Sequence, residues 1–226
     1  SSIGIEKGKP FNPSPQQKAL LTEAVAIGNA TARSILFGPK DPKNYIYPGK
    51  AGYWQTGFPG GSHEYLVNKG NGGRDMDGRT LFFYLATVNT PAMALEIPGV
   101  GSQYAFSSRD GSGAYLNGSN TYKLNIPANP PAQKFWSFVV YDPQTRSMLQ
   151  TGEMPYPSKN NKRNADMVKN ADGSIDLYFG PQAPAGMEAN WVKTVPGKGW
   201  FGIFRLYGPG QQWFDRTWKL GNIEKV

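Results

Sequence analysis

The chain of 226 residues has no cysteine and only one histidine, His63. Without cysteine there are no disulfides, no thiolate nucleophile and no Cys-bound zinc or iron–sulfur cluster. A lone histidine cannot build a multi-His metal site, so His63 reads first as a surface or hydrogen-bonding residue. No apolar run approaches the roughly 20 residues needed to span a bilayer, so no transmembrane segment is expected. Catalytic signatures are missing too. There is no G-x-S-x-G elbow and no P-loop lysine, and Gly57, Gly60 and Gly61 lack the strand-to-helix frame of a dinucleotide site. No cofactor is implied.

Charge is plentiful but scattered. The formal net charge is +8, yet the densest basic run is Lys159 to Arg163, KNNKR, in an expected loop. Helix-turn-helix, zinc-finger and RNA-recognition patterns do not occur, so nucleic acid is not the expected partner. The excess reads as a solvated basic surface that favours solubility or acidic neighbours.

With 38% hydrophobic and 13% aromatic residues, the chain can bury a core, and its 28 Gly and 19 Pro lie between apolar runs as turn formers. The opening SSIGIEKGKPFNPSP reads as a connector. Ser14 is a suitable N-cap, Pro15 suits the first helical position, and Gln17 completes a capping box. The resulting helix is expected to reach about Phe37, with Leu20, Ala24, Ile27, Thr31 and Ile35 as its buried stripe and Gly38-Pro39 as its stop. From Pro39 to about Arg74 there is no sustained period. Tyr45, Tyr47, Tyr53, Trp54, Phe58 and Tyr65 are too many aromatics for a free linker, so this segment is expected to be ordered by burial. Arg79 to Val88 reads as a second helix lined by Leu81, Tyr84, Leu85 and Val88, with a buried strand as the competing reading.

Beyond Asp110 the pattern changes to short strands between turns. Asn117-Gly118 predicts a hairpin joining Ala114–Leu116 to Tyr122–Ile126, with Tyr122, Leu124 and Ile126 inward. Phe135 to Tyr141 is apolar on both faces, and Met148 to Gln150 follows the Asp142-Pro143 turn. Met167-Val168 is expected to pair with Ile175, Leu177 and Phe179 through Ala171-Asp172-Gly173. Trp191 to Val195 is a further strand. The last, Trp200 to Tyr207, places Phe201, Ile203, Arg205 and Tyr207 on one face and Trp200, Phe204 and Leu206 on the other. Both faces are largely apolar, which marks a central strand. Trp136 and Trp200 are the tryptophans assigned to the core. The expected fold is mainly β: an antiparallel, jelly-roll-like β-sandwich over 114–226. Residues 1–113 supply the connector, N-terminal helix, aromatic loop and second helix packed on it.

Several segments carry a resemblance: GVGSQYAFSSRD (Gly99 to Asp110), YLNGSNTYKLNIP (Tyr115 to Pro127), FWSFVVYD (Phe135 to Asp142), NADGSIDLYFGPQAPAG (Asn170 to Gly186), NWVKTVPGKGWFGIFRLYGP (Asn190 to Pro209) and TWKLGNIE (Thr217 to Glu224). Over essentially its whole length the chain resembles the C-terminal half of a two-domain bacterial family of unknown function, domain of unknown function twelve-fourteen. That half normally follows domain of unknown function twelve-fifty-four. The resemblance implies a jelly-roll-like sandwich, a periplasmic or secreted setting, and a companion N-terminal β-domain as partner. It implies no established reaction and no catalytic residues.

Three functional readings stand open. The first is a binding or interaction module for a glycan or another polar ligand, with Trp54, Tyr156, Asn190, Trp191, Arg205 and Trp213 as candidate ligand-binding residues. The second is a hydrolase or lyase using two of Glu153, Asp142, Asp172, Asp176 and Glu188, which must then lie about 5 to 10 Å apart. Asp142 and Asp172 also read as plain turn formers. The third is a structural domain that offers an apolar interface to its companion domain or to copies of itself. Arg205 is the charge least explained by solubility. Among Phe201, Ile203 and Tyr207 it requires a fixed partner: a carboxylate such as Asp142, Asp176 or Glu188, or a ligand anion.

Overall fold

The computed structural model describes residues 3–226. Ser14 caps the first helix, α1 (Pro15–Phe37), by accepting from the Gln17 N–H, and Gly38 ends it by donating to the Ser34 carbonyl. A second helix, α2 (Met76–Ala86), starts at Asp75, whose carboxylate accepts from the Gly78 N–H. The helical reading of this segment therefore holds, although Val88 lies beyond the helix end. A short helix, α3 (Pro91–Ala94), leads into the sheets.

Eight strands follow: β1 (Ser102–Ser107), β2 (Tyr122–Ile126), β3 (Ala132–Tyr141), β4 (Ser158–Asn160), β5 (Ile175–Gly180), β6 (Trp191–Lys193), β7 (Phe201–Pro209) and β8 (Ile223–Lys225). They form two four-stranded sheets, β1-β7-β3-β4 and β6-β5-β2-β8. All pairs are antiparallel except β5–β6, which is parallel. This is a mainly β architecture with helical additions. β1 lies before position 114, yet it is an edge strand of the first sheet.

Period-2 alternation decides where the core sits. Trp136, Phe138, Val140, Phe204 and Leu206 of the first sheet meet Tyr122, Leu124, Leu177, Phe179 and Ile223 of the second. Phe138 and Phe179 lie 4.8 Å apart across the gap. The opposite face of the first sheet is covered by the C-terminal end of α1 and by α2, through Leu36, Phe37, Leu81, Phe106, Phe201 and Ile203. β7 is thus central and buried on both sides, in the phase expected. The aromatic segment is ordered by burial as well. Trp54 and Tyr47 enter the main core, while Gln55 extends the β1 edge by exchanging two backbone hydrogen bonds with Phe106.

Four local expectations are corrected. The α1 stripe is not buried: Leu20 and Ile27 are 62% and 60% exposed, and only the last turns of the helix dock, because the sheet they pack on ends there. The hairpin at Asn117-Gly118 does not form. Gly118 instead lies against the backbone of Val195, where an added Cβ would meet the Val195 carbonyl at 2.2 Å, and β2 pairs with β5 and β8. Met167-Val168 forms no strand, since the Asn190 side chain takes both backbone groups of Val168. Of the expected loop from Lys159 to Arg163, Lys159 and Asn160 belong to the edge strand β4, and only Asn161 to Arg163 form a turn.

Among the described glycines the tightest site is Gly202 of β7, where an added Cβ would stand 2.1 Å from the Phe138 ring. Its backbone suits any residue, so the constraint is steric. Gly202→Ala is expected to destabilise by about 2 kcal/mol through overpacking, read from chemical denaturation. A change below about 0.5 kcal/mol would show that the Phe138 ring has room to yield.

Candidate functional site

The outward residues of the first sheet and the inward residues of α2 do not meet everywhere. Between them lies a cleft of about 250 Å³. Alternation along β7 aims Phe201, Ile203 and Arg205 into it; β1 adds Gln103, Tyr104 and Phe106; β3 adds Tyr141 at its last residue. The roof comes from Phe82 and Leu85 of α2, Met93 of α3 and Phe58 of the aromatic segment. Phe58 packs on Phe82 with ring centroids 4.3 Å apart. Arg146, on the turn after β3, completes the wall, its guanidinium 4.0 Å from the Tyr84 ring centre.

Arg205 is half-buried in this apolar setting. Its Nη2 donates to the Tyr141 hydroxyl at 2.5 Å, and its guanidinium sits 5.8 Å from the ring centres of both Tyr104 and Tyr141. Its Nε is buried and has no hydrogen-bond partner among the described residues. The expected carboxylate partner is not there. Asp142 is bound by the Gln144 N–H and Lys198 Nζ, Asp176 by Asn125 Nδ2 and Lys123 Nζ, and Glu188 accepts from the Gly186 N–H. Burial pushes the Tyr141 phenol above its ordinary pKa and outweighs the lowering influence of Arg205. Tyr141 therefore stays neutral and cannot balance the guanidinium. Among the described residues no Asp or Glu lines the cleft, so Arg205 and Arg146 share it without a counter-charge there.

The other candidate ligand residues lie elsewhere and apart. Trp54 is fully buried with its Nε1 donating to the Gly221 carbonyl, and Trp213 is buried against Trp218. Asn190 is buried and fully engaged by backbone groups of Val168 and Asp176. Trp191 is half-buried and donates to the Gly180 carbonyl; Tyr156 is exposed with Arg163 over its ring. Only Arg205 reaches the cleft. Of the five candidate acid/base carboxylates, Glu153 pairs with Lys193 and Asp172 serves its own turn by accepting from the Ser174 N–H. None of the five lines the cleft. His63 offers its backbone carbonyl to Asn89 Nδ2. Among the described residues, no group of three or more His, Cys, Asp or Glu is placed to hold a metal ion, and no helix is long and apolar enough to cross a membrane.

Sequence reasoning singled out Arg205 but missed Tyr104, Tyr141, Phe58, Phe82 and Arg146. The alternation of β7 could have paired Arg205 with outward residues of β1 and β3 once strand order was known. Nothing in the sequence places α2 above them.

Fold and site together define a two-sheet β domain, backed by helices, with an arginine-bearing apolar cleft between its layers. Residues 101–211, from the start of β1 into α4 (Gln211–Phe214), match the model of a family described as protein of unknown function (DUF1214). The VPA0106 protein of Vibrio parahaemolyticus is similar in structure, with a TM-score of 0.52 and 21% identity over 100% of this chain and 49% of that one. An uncharacterized protein from Burkholderia cenocepacia matches at a TM-score of 0.43 and 16% identity, over 100% of this chain and 46% of that one. The likeness to the Vibrio protein concerns fold alone. The chain spans about half the length of these solved structures. No curated protein matches it.

Because Asn190 satisfies three backbone groups far from the cleft, its role is to hold the segment before β5 against the second sheet. Asn190→Ala should cost about 2 kcal/mol from unpaired polar groups and lower the Tm by about 4–8 °C in a thermal melt. An unchanged Tm would show that water replaces the amide without loss.

Proposed function

We propose that this domain is a binding module for a small organic anion, seated in the cleft on Arg205. One observation carries the reading: a half-buried guanidinium that donates to a neutral phenol, has an unpartnered Nε and, among the described residues, meets no carboxylate in the lining. Leaving such a charge unpaired in an apolar setting is costly, and an incoming anion would relieve the cost. The shape suits a small molecule, since apolar walls with few convergent polar groups typify such sites. A glycan fits less well, because two of the tryptophans that would stack on sugar rings are core residues. Paired-carboxylate hydrolysis has no support in the cleft, where no acidic residue is present. The periplasmic or secreted setting and the jelly-roll winding rest on the family resemblance.

The test is a thermal-shift and calorimetry series with small carboxylates and their neutral amides. Carboxylates should raise the Tm of the wild-type protein and amides should not, as binding to the folded state stabilises it. Arg205→Met should abolish the rise. It should itself melt at or above the wild-type temperature, because it removes a charge with no ionic partner. Equal rises in wild type and variant, or a sharp loss of stability in the variant, would sink the reading.

A second reading is supported by α1 and the residues before it. Leu20, Val25 and Ile27 are 62%, 71% and 60% exposed, and Ile5 and Phe11 are also open. Such apolar surface marks a place where something docks, and the companion domain implied by the family resemblance would lie there. The chain has no cysteine, so Ala24→Cys gives a single thiol on this helix. Maleimide should label it freely in this chain and at least about tenfold more slowly in a two-domain protein, a factor worth 1.4 kcal/mol of local protection. Equal rates would remove this reading.

A further inference from the structure

Much of the wall of the proposed anion site is aromatic. Phe58, Phe82, Tyr104, Phe106, Tyr141 and Phe201 all line the cleft, and they arrive from the aromatic segment, α2, β1, β3 and β7. Tyr141 stacks on Phe201 with centroids 5.2 Å apart and planes 20° from parallel. Rings held in this way present both faces and edges, and a flat guest ring gains from each contact beyond the area it buries. A saturated ring or chain of the same size gains only the area.

Size narrows the ligand further. The cleft, at about 250 Å³, exceeds the roughly 150 Å³ that admits a benzene molecule and falls below the roughly 300–1,000 Å³ of sites for drug-sized ligands. One ring with a short acidic arm fills it; a long acyl chain does not fit. Charge sets the acid. Arg205 gives one Nη2 hydrogen to Tyr141 and keeps Nε unpartnered among the described residues, so a carboxylate oxygen can be received at Nε. Arg146 adds a second positive charge at the wall and no acidic residue opposes either, which disfavours aromatic amines.

Building on the anion site proposed above, we infer that the ligand is a monocyclic aromatic carboxylate. Its carboxylate sits on Arg205 and its ring lies between the Phe58–Phe82 roof and the Tyr104–Phe201 floor. The aromatic lining then selects for ring character and the arginine selects for charge, so the two recognition elements can be tested apart.

Calorimetric titration with benzoate, cyclohexanecarboxylate and benzamide separates them. Benzoate should bind about tenfold more tightly than cyclohexanecarboxylate, which has the same charge and nearly the same size, and benzamide should give no binding. Phe82→Leu should narrow the benzoate preference to about twofold while retaining cyclohexanecarboxylate binding; should that variant fail to fold, Tyr104→Leu serves the same comparison. Cyclohexanecarboxylate binding as tightly as benzoate would overturn the aromatic assignment and leave the anion site standing. A tenfold preference that survives loss of the aromatic wall would also overturn it. If no carboxylate binds, the anion site falls with it.

Discussion

β7 is apolar on both faces, and much of the remaining structure follows from covering it. Its Phe204 and Leu206 need the second sheet, which supplies Leu177, Phe179 and Ile223. Its Phe201 and Ile203 need a second cover, which the end of α1 and α2 provide. A strand dressed on both sides cannot lie at an edge, so β1 and β3 flank it. At Gly202 the two demands meet, because the Phe138 ring packs where any side chain would stand. The layered order of helices, first sheet and second sheet is therefore the geometry of one doubly buried strand.

The cleft is where this covering is incomplete. α2 seals Leu81 against the sheet but leaves a space beside Phe82 and Leu85, and Arg205 reaches that space two residues beyond Ile203. A Leu at the same position would have extended the apolar face. The arginine instead introduces a charge whose neighbours are a neutral phenol and two tyrosine rings. Cation–π contacts of this kind ease the burial of a guanidinium without neutralising it. The contrast with Asp142 and Asp176 is instructive. Each of those carboxylates has a lysine and an N–H donor of its own nearby, so its charge is balanced where it sits.

Much of the architecture was legible in the chain, because the signals that decided it are local. Ser14, Pro15 and Gln17 set the start of α1, and the alternation of Trp200 to Tyr207 fixed the phase of β7 and the side on which Arg205 stands. The mainly β class followed from the spacing of apolar runs and turns. Asn117-Gly118 misled for a physical reason: the glycine is required by a close approach to Val195, and only the fold shows which backbone comes near. Leu20, Ala24 and Ile27 misled likewise, since apolar spacing marks a face that can be buried and does not say that a surface is there to bury it.

The sequence by itself thus determined the phases of β2 and β7, the caps of α1, the absence of cysteine chemistry and the anomalous charge at Arg205, all of which depend on neighbours within a few residues. Only the tertiary structure decided what that arginine faces. Tyr104, Tyr141, Phe58 and Phe82 are brought to it from four separate elements, by strand order and by the docking of α2. Those contacts depend on how layers close over one another, and no local period in the chain encodes that closure.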